Sequence, residues 1–109
     1  MGKKIIPDEV RKKVITIVDK FNQKELQGTN CRYTARFRGK FLYLDRINYD
    51  KKEPVSRLEF LKETNDWKFA IFKWSSETYD PDEFFFQGRE LVDGSIEGAM
   101  KAGMVAYPV

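Results

Sequence analysis

Residues 31–44 read CRYTARFRGKFLYL, and this stretch decides the fold. Before the glycine, apolar and polar side chains alternate strictly, which is typical of a strand that buries one face. Gly39-Lys40 suits a two-residue hairpin loop, because glycine accepts the positive φ at the first position of a type II′ turn. A second strand from Phe41 to about Ile47 follows. The stretch therefore predicts an antiparallel hairpin.

Two further strands are predicted after this hairpin. Residues 48–54 are polar and indicate a loop, and residues 63–66 have the composition of a turn. The predicted strands are Val55–Lys62 and Trp67–Trp74. Four consecutive strands with short connections favour an antiparallel meander.

A helix is predicted on each side of the strands. Apolar residues recur at three- and four-residue steps along the N-terminal segment, which indicates a helix from about Pro7 to Leu26 with one apolar stripe. A second helix is predicted from Ile96 to about Val105, with Asp93 or Ser95 as its cap. The fold class is thus α+β: a four-stranded antiparallel meander with an N-terminal helix packed on one face and a C-terminal helix, in the order α-β-β-β-β-α.

The segment between the last strand and the last helix is less regular. Asp80-Pro81 resembles a helix start, with Asp80 as the cap and Pro81 at the first helical position. It predicts a short turn through Phe86.

Length and composition restrict the class of protein. The chain has 109 residues, 41% hydrophobic and 34% charged, which indicates one globular domain covering residues 1–109. No apolar run approaches the ~20 residues of a membrane helix, and no signal peptide is apparent. The single Cys31 cannot form an internal disulfide. We therefore expect a cytoplasmic protein without membrane contact.

The sequence lacks the residues of several common catalytic and metal sites. It contains no histidine, which excludes histidine-based triads, and one cysteine without histidine does not suit zinc. Cys31 belongs to the apolar series of its strand, so we interpret it as a core residue. No phosphate loop or dinucleotide motif appears. We expect no cofactor, no metal site and no catalytic residues.

Strand pairing assigns side chains to two faces of the sheet. With Gly39-Lys40 as the whole loop, Arg38 opposes Phe41 and Arg36 opposes Tyr43. With a four-residue second loop, the predicted pairs are Phe60 with Phe69, Leu58 with Ile71, Arg57 with Phe72 and Glu59 with Ala70. One face is then an apolar core under the N-terminal helix. The other face, here named the arginine-aromatic face, carries Arg32, Arg36, Arg38, Phe41, Tyr43, Arg57, Phe72 and Trp74.

The aromatic residues are unevenly distributed. Eight of the 16 lie between Trp67 and Phe86, more rings than one side of one sheet can bury. Phe84, Phe85 and Phe86 are consecutive, so in a regular conformation they cannot all point inward. We therefore predict that this segment contributes to an interface with a partner. The other hypothesis is that they plug one end of the core.

The arginine-aromatic face leads to three functional hypotheses. The first is a non-enzymatic interaction module that self-associates as a homodimer through this face and the Phe84–Phe86 segment. The alternative is single-stranded nucleic-acid binding, to RNA or DNA, because bases stack on rings while guanidinium groups hold phosphates. A weaker alternative is a carboxylate-based enzyme at Asp80, Asp82 and Glu83. Against the first two stands the structural explanation that the acidic segment 77–109 covers the face and that its acids pair with the arginines.

The charges are unevenly distributed along the chain. Residues 1–54 hold 14 Lys/Arg against 7 Asp/Glu, whereas residues 55–109 hold 6 against 10. The two halves can attract each other within one fold or between two copies.

Overall fold

The computed structural model describes residues 5–61, 66–83 and 85–108 of the chain. It contains two α-helices, five β-strands and one 3₁₀ turn at Arg89–Leu91. The helices are α1 (Asp8–Glu25) and α2 (Ile96–Ala106). The strands are β1 (Cys31–Arg38), β2 (Phe41–Asn48), β3 (Lys51–Phe60), β4 (Trp67–Lys73) and β5 (Thr78–Asp80).

All five strands form one antiparallel meander in the order β1-β2-β3-β4-β5. The predicted α+β class and its element order are confirmed, with one short strand more than predicted. The first hairpin has the predicted register: Arg38 pairs with Phe41 and Arg36 with Tyr43. Gly39 has a φ of 59°, which glycine adopts without a steric penalty.

The predicted loop at residues 48–54 is wrong. Only Tyr49 and Asp50 form the turn, both with positive φ (51° and 68°), and β3 begins at Lys51. Two consecutive residues with positive φ give the turn that matches the twist of a hairpin. The first residues of this strand are polar and include a proline, a composition that is typical of a loop. Pro54 is tolerated in the strand because it lies at a β-bulge opposite Asp45.

The predicted register of the second hairpin is also wrong, by two residues. Leu58 pairs with Phe69, and Phe60 pairs with Trp67, because β3 ends at Phe60 and the connection runs from Leu61 to Asp66. Arg57 accordingly faces Ala70 and not Phe72. Side chains alternate with a period of two, so a two-residue shift leaves every residue on its predicted face.

The segment after β4 differs from the prediction. Thr78–Asp80 is a strand that pairs with Ile71–Lys73, and the described residues form no helical turn at Asp80. Asp80 does cap a turn, since its side chain accepts a hydrogen bond from the Asp82 N–H (2.9 Å). Asx turns and helix N-caps use the same acceptor geometry, which explains why the pattern was ambiguous.

Both helices pack on the same face of the sheet. The Phe21 ring of α1 meets the Tyr33 ring edge-on at 5.7 Å, and the Tyr33 hydroxyl donates to the Met100 carbonyl of α2 (2.8 Å). The core between them includes Val14, Leu44 and the other buried residues of this face. Within the described part of the chain, no helix is long and apolar enough to cross a membrane. Because α1 and α2 share one face, no helix of the described part of the chain lies above the opposite face of the sheet.

The α2 helix is held at both ends. At its start, the Ser95 hydroxyl accepts a hydrogen bond from the Gly98 N–H (3.0 Å), so Ser95 is the cap. At its end, the buried Arg46 guanidinium donates to the Gly103 carbonyl (3.4 Å) and to the Tyr107 carbonyl. A cation at the carbonyl end of a helix is favourable. These contacts keep α2 over the apolar face and away from the arginine-aromatic face.

Candidate binding face

The arginine-aromatic face exists as predicted from strand alternation. Cross-strand pairs bring Arg36, Tyr43 and Arg57 into one row across β1, β2 and β3. The short strand β5 adds Tyr79, which pairs with Phe72. Strand register places seven of the predicted residues on this one face: Arg32, Arg36, Arg38, Phe41, Tyr43, Arg57 and Phe72. Trp74 follows the end of β4 and joins them through its edge-to-face contact with the Phe72 ring (5.0 Å).

Five rings on this face form one continuous chain, which we name the ring chain. It runs from Phe41 through Tyr43, Tyr79 and Phe72 to Trp74. Successive ring centroids are 6.3, 5.4, 5.1 and 5.0 Å apart, and the last three contacts are edge-to-face. These separations are those of favourable aromatic pairs.

The ring chain is itself a small second core. Ala70 lies on this face beneath Arg57 and the rings, yet it is only 2% exposed, and Phe72 is 8% exposed. Tyr43 and Tyr79 reach each other from β2 and β5, three strands apart, because the small side chain of Ala70 leaves room between them. The surplus aromatic residues are therefore mostly packed against one another. Trp74, at the end of the chain, is the exception, with 49% of its surface exposed.

Cationic side chains lie over the rings. The Arg36 guanidinium carbon is 4.3 Å from the Tyr43 centroid. The Arg57 guanidinium carbon is 4.5 Å from the Phe41 centroid and 5.5 Å from that of Tyr79. Each such contact contributes roughly 0.5–1 kcal/mol at exposed sites and holds the guanidinium group in place.

A buried carboxylate lies at the edge of the ring chain. Asp45 is only 3% exposed, and it accepts from Arg36 Nε (3.2 Å) and lies 3.7 Å from Lys52 Nζ. Burial, and then the negative charge of Asp45, raise the pKa of Tyr79, so that this phenol stays neutral. Asp45 thus holds the Arg36 side chain in place and adds to the effect of burial on Tyr79.

The face as a whole is basic. Strand alternation places two acids on it, Asp45 and Glu59, and Glu59 pairs with Lys40 at the hairpin turn (3.4 Å). The six cations on the strands are Arg32, Arg36, Arg38, Lys52, Arg57 and Lys68. This surplus is the main electrostatic property of the face.

Among the described residues of segment 77–109, Tyr79 lies on this face, where its ring joins the ring chain. Phe84 lies outside the described residues. Phe85 is 96% exposed, and Phe86 stacks on Phe69 (5.8 Å), on the face that the helices cover. The hypothesis that this acidic segment neutralises the arginines stays a prediction. Phe86 closes one edge of the main core.

The carboxylates at residues 80–83 have structural partners. Asp80 and Glu83 both pair with Lys73, at 3.8 and 2.9 Å, and Asp82 is exposed. The hydrogen bond with Glu83 raises the pKa of Lys73. Glu83 also lines a hollow of about 210 Å³ with Trp74 and Tyr107. Glu83 is the carboxylate in the lining of this hollow, and Lys73 lies between it and Asp80.

Cys31 lies in the core, as its place in the strand indicates. It is 5% exposed, and burial raises the pKa of its thiol. A buried neutral thiol is a poor nucleophile. Within the residues that the structure describes, no group of three or more acidic or cysteine side chains could hold a metal ion.

Two residues of the site escape sequence reasoning. Tyr79 is missed because a three-residue strand is too short to show alternation. Asp45 does follow Phe41 and Tyr43 in the alternating series, but a lone acid at a strand position gives no sign that it is buried. The sequence offers one signal for Asp45: this acid lies on a strand that pairs with the arginine-rich strand β1.

Comparisons with known proteins found no match for this chain. No protein-family model matches the chain, no curated protein matches it, and no solved structure matches it. The chain is thus characterised by its α+β meander and by the open basic face with its ring chain.

Proposed function

We propose that this protein is a non-enzymatic binding module whose arginine-aromatic face takes single-stranded nucleic acid. The observation that carries the proposal is a ring chain with guanidinium groups over it, on a sheet face that no helix covers. Single strands need both elements, because phosphates require cations and unpaired bases require planar groups for stacking. A duplex hides its bases and needs a helix or ribbon that enters a groove, which this flat face does not supply.

The charge of the face supports a polyanion over a second copy of the same face. A two-fold dimer through this surface would place six cations and two acids against an identical set. Like charges brought together across an interface oppose association. A polyanion instead gains from each cation and releases its own counterions.

The experiment is a fluorescence-anisotropy titration with labelled single strands of about 12 nucleotides, within the usual site sizes. DNA and RNA probes of one sequence, and the DNA duplex, are measured between about 50 and about 200 mM salt. We expect single strands to bind more tightly than the duplex, with affinity falling as salt rises. Comparison of the RNA and DNA probes identifies the preferred polymer.

Two charge-matched variants locate the site. Arg38→Ala on the face should weaken binding and lower the steepness of the salt dependence by about 0.7. Lys12→Ala removes the same charge from an exposed position on α1, on the opposite side of the sheet, and should change binding little. Inorganic polyphosphate should compete weakly, since it offers no bases. Absence of single-strand binding at low salt, or equal effects of the two variants, would contradict the proposal.

A second candidate function, self-association, is favoured by one separate observation. Phe85 is almost fully exposed beside Phe86, which lines the hollow of about 210 Å³ with Trp74 and Tyr107. A large exposed ring next to a hollow with aromatic residues in its lining is the arrangement of an interface anchor. This surface meets the arginine-aromatic face at Trp74, so a second copy of the chain and a single strand would compete for that ring.

A further inference from the structure

The flat sides of most rings on the arginine-aromatic face are already occupied. Phe41 has Arg57 above it at 4.5 Å, and Tyr43 has Arg36 above it at 4.3 Å. Phe72 is buried, with the edges of its neighbours in the ring chain packed around it. A planar group approaching from solvent therefore meets guanidinium groups before it meets these rings.

Arg36 differs from Arg57 in having a fixed anchor. Its Nε donates to the carboxylate of Asp45 (3.2 Å), which is 4% exposed at the side chain, whereas the Arg36 side chain is 47% exposed. The guanidinium is thus held at one edge by a buried acid and supported from below by a ring. An arginine side chain normally loses considerable rotamer freedom when it binds, and this arrangement removes part of that loss in advance.

We infer that Asp45 is a positioning residue of the nucleic-acid site: it holds the Arg36 guanidinium over Tyr43 so that a nucleobase stacks on the guanidinium plane. Trp74, half exposed at the end of the ring chain, is the second stacking platform. Bases stack on arginine planes as well as on aromatic rings, so both platforms suit an unpaired base. This inference rests on the proposed function and assigns its parts: Phe41, Tyr43 and Phe72 support, while Arg36 and Trp74 touch the ligand.

Electrostatics alone predicts the opposite effect for Asp45. Removing this acid makes the face more positive, so attraction to a polyanion should increase. Loss of the anchor frees Arg36, so stacking should decrease. The sign of the change in affinity therefore separates the two roles.

The test compares two variants with the same charge in the titration described above, using the preferred single strand. Asp45→Asn removes the charge but keeps an oxygen that accepts from Arg36 Nε, and Asp45→Ala removes both. We expect Asp45→Ala to bind about five- to tenfold more weakly than Asp45→Asn, with the same salt dependence. Circular dichroism confirms that both variants are folded. Equal affinities, or tighter binding by Asp45→Ala, would overturn the inference.

A second variant does not depend on the buried position. Arg36→Lys keeps the charge and lies on an exposed side chain, but it has no plane on which a base can stack. We expect a severalfold loss of affinity with an unchanged salt dependence. Affinity equal to that of the original protein would overturn the positioning role while nucleic-acid binding stood. Failure of the unchanged protein to bind any single strand would instead remove the proposed function itself.

Discussion

At the scale of single residues, the molecule places several polar groups in apolar surroundings and gives most of them a partner. Asp45 lies under Arg36 and Lys52, and Arg46 lies against the carbonyl end of α2. Tyr33 is buried between both helices and donates its hydroxyl proton to Met100 O. Buried polar groups are costly unless they are hydrogen-bonded. The hydrogen bonds of these residues therefore help to fix the positions of the helices and strands that they join.

Tyr33 makes stability depend on alkaline pH. Burial raises its pKa well above the ordinary value of 10.0, so the folded state keeps a proton that the unfolded chain loses near pH 10. Stability should therefore fall as pH rises through about 10 toward the folded-state pKa. Tyr33→Phe should be less stable near neutrality, because it loses one hydrogen bond, but should show a shallower alkaline decline.

Urea denaturation at a series of pH values between about 8 and about 11 measures this effect. Burial also raises the pKa of Tyr79 and of Tyr107, so part of the decline remains in the variant. Tyr49→Phe, at an exposed turn position, is the control. Parallel stability curves for Tyr33→Phe and the original protein would refute this role of Tyr33.

At the scale of elements, the close approach of α2 to the sheet decides which face stays open. The helix carries Gly98, Ala99, Ala102 and Gly103 on its buried side, so its backbone comes close to β1 and β3. Such a run of small residues is typical of a helix that approaches a sheet closely. Which face of the sheet it approaches depended on Tyr33 and Arg46, whose contacts with α2 span more than 50 residues of chain.

Gly103→Ala tests this approach. A Cβ at this position would lie 2.6 Å from Val55 Cγ1 and against the Tyr33 hydroxyl. Alanine usually stabilises a helix interior by roughly 0.5–1 kcal/mol relative to glycine, but overpacking here should cost about 1–3 kcal/mol. Urea denaturation should show a net loss of stability, whereas Lys101→Ala, exposed on the same helix, should change little. Stability equal to or above that of the original protein would show that α2 can move away.

At the scale of the whole molecule, charge and apolar surface are separated. The basic arginine-aromatic face lies on one side of the sheet, and the segment with Phe85 lies at the end of β4 and beside α2. The two surfaces meet at Trp74, which ends the ring chain and also lines the hollow beside Phe86. The sequence-based hypothesis of self-association joined these surfaces in one interface, and it remains a prediction for the Phe85 surface alone.

The oligomeric state tests this separation. We predict a two-fold mass by light scattering at micromolar concentration, which Phe85→Ser should reduce to the monomer mass, because the exposed ring is the proposed anchor. Arg36→Ala should leave the mass unchanged, since the basic face is not the contact. A strictly monomeric original protein would remove self-association, and loss of the dimer in Arg36→Ala would place it on the basic face.

The sequence by itself determined the α+β class, the first hairpin with its register, and the residues of the arginine-aromatic face. These follow from local periodicity: alternation assigns a face even where the second hairpin is displaced by two residues. The tertiary structure alone decided that α1 and α2 share one face, that β5 brings Tyr79 against Tyr43 and Phe72, and that Asp45 is buried beside Arg36. Each of these features depends on contacts between residues that are distant in the chain. There burial and strand pairing outweigh local preference, and the local sequence pattern does not indicate such contacts.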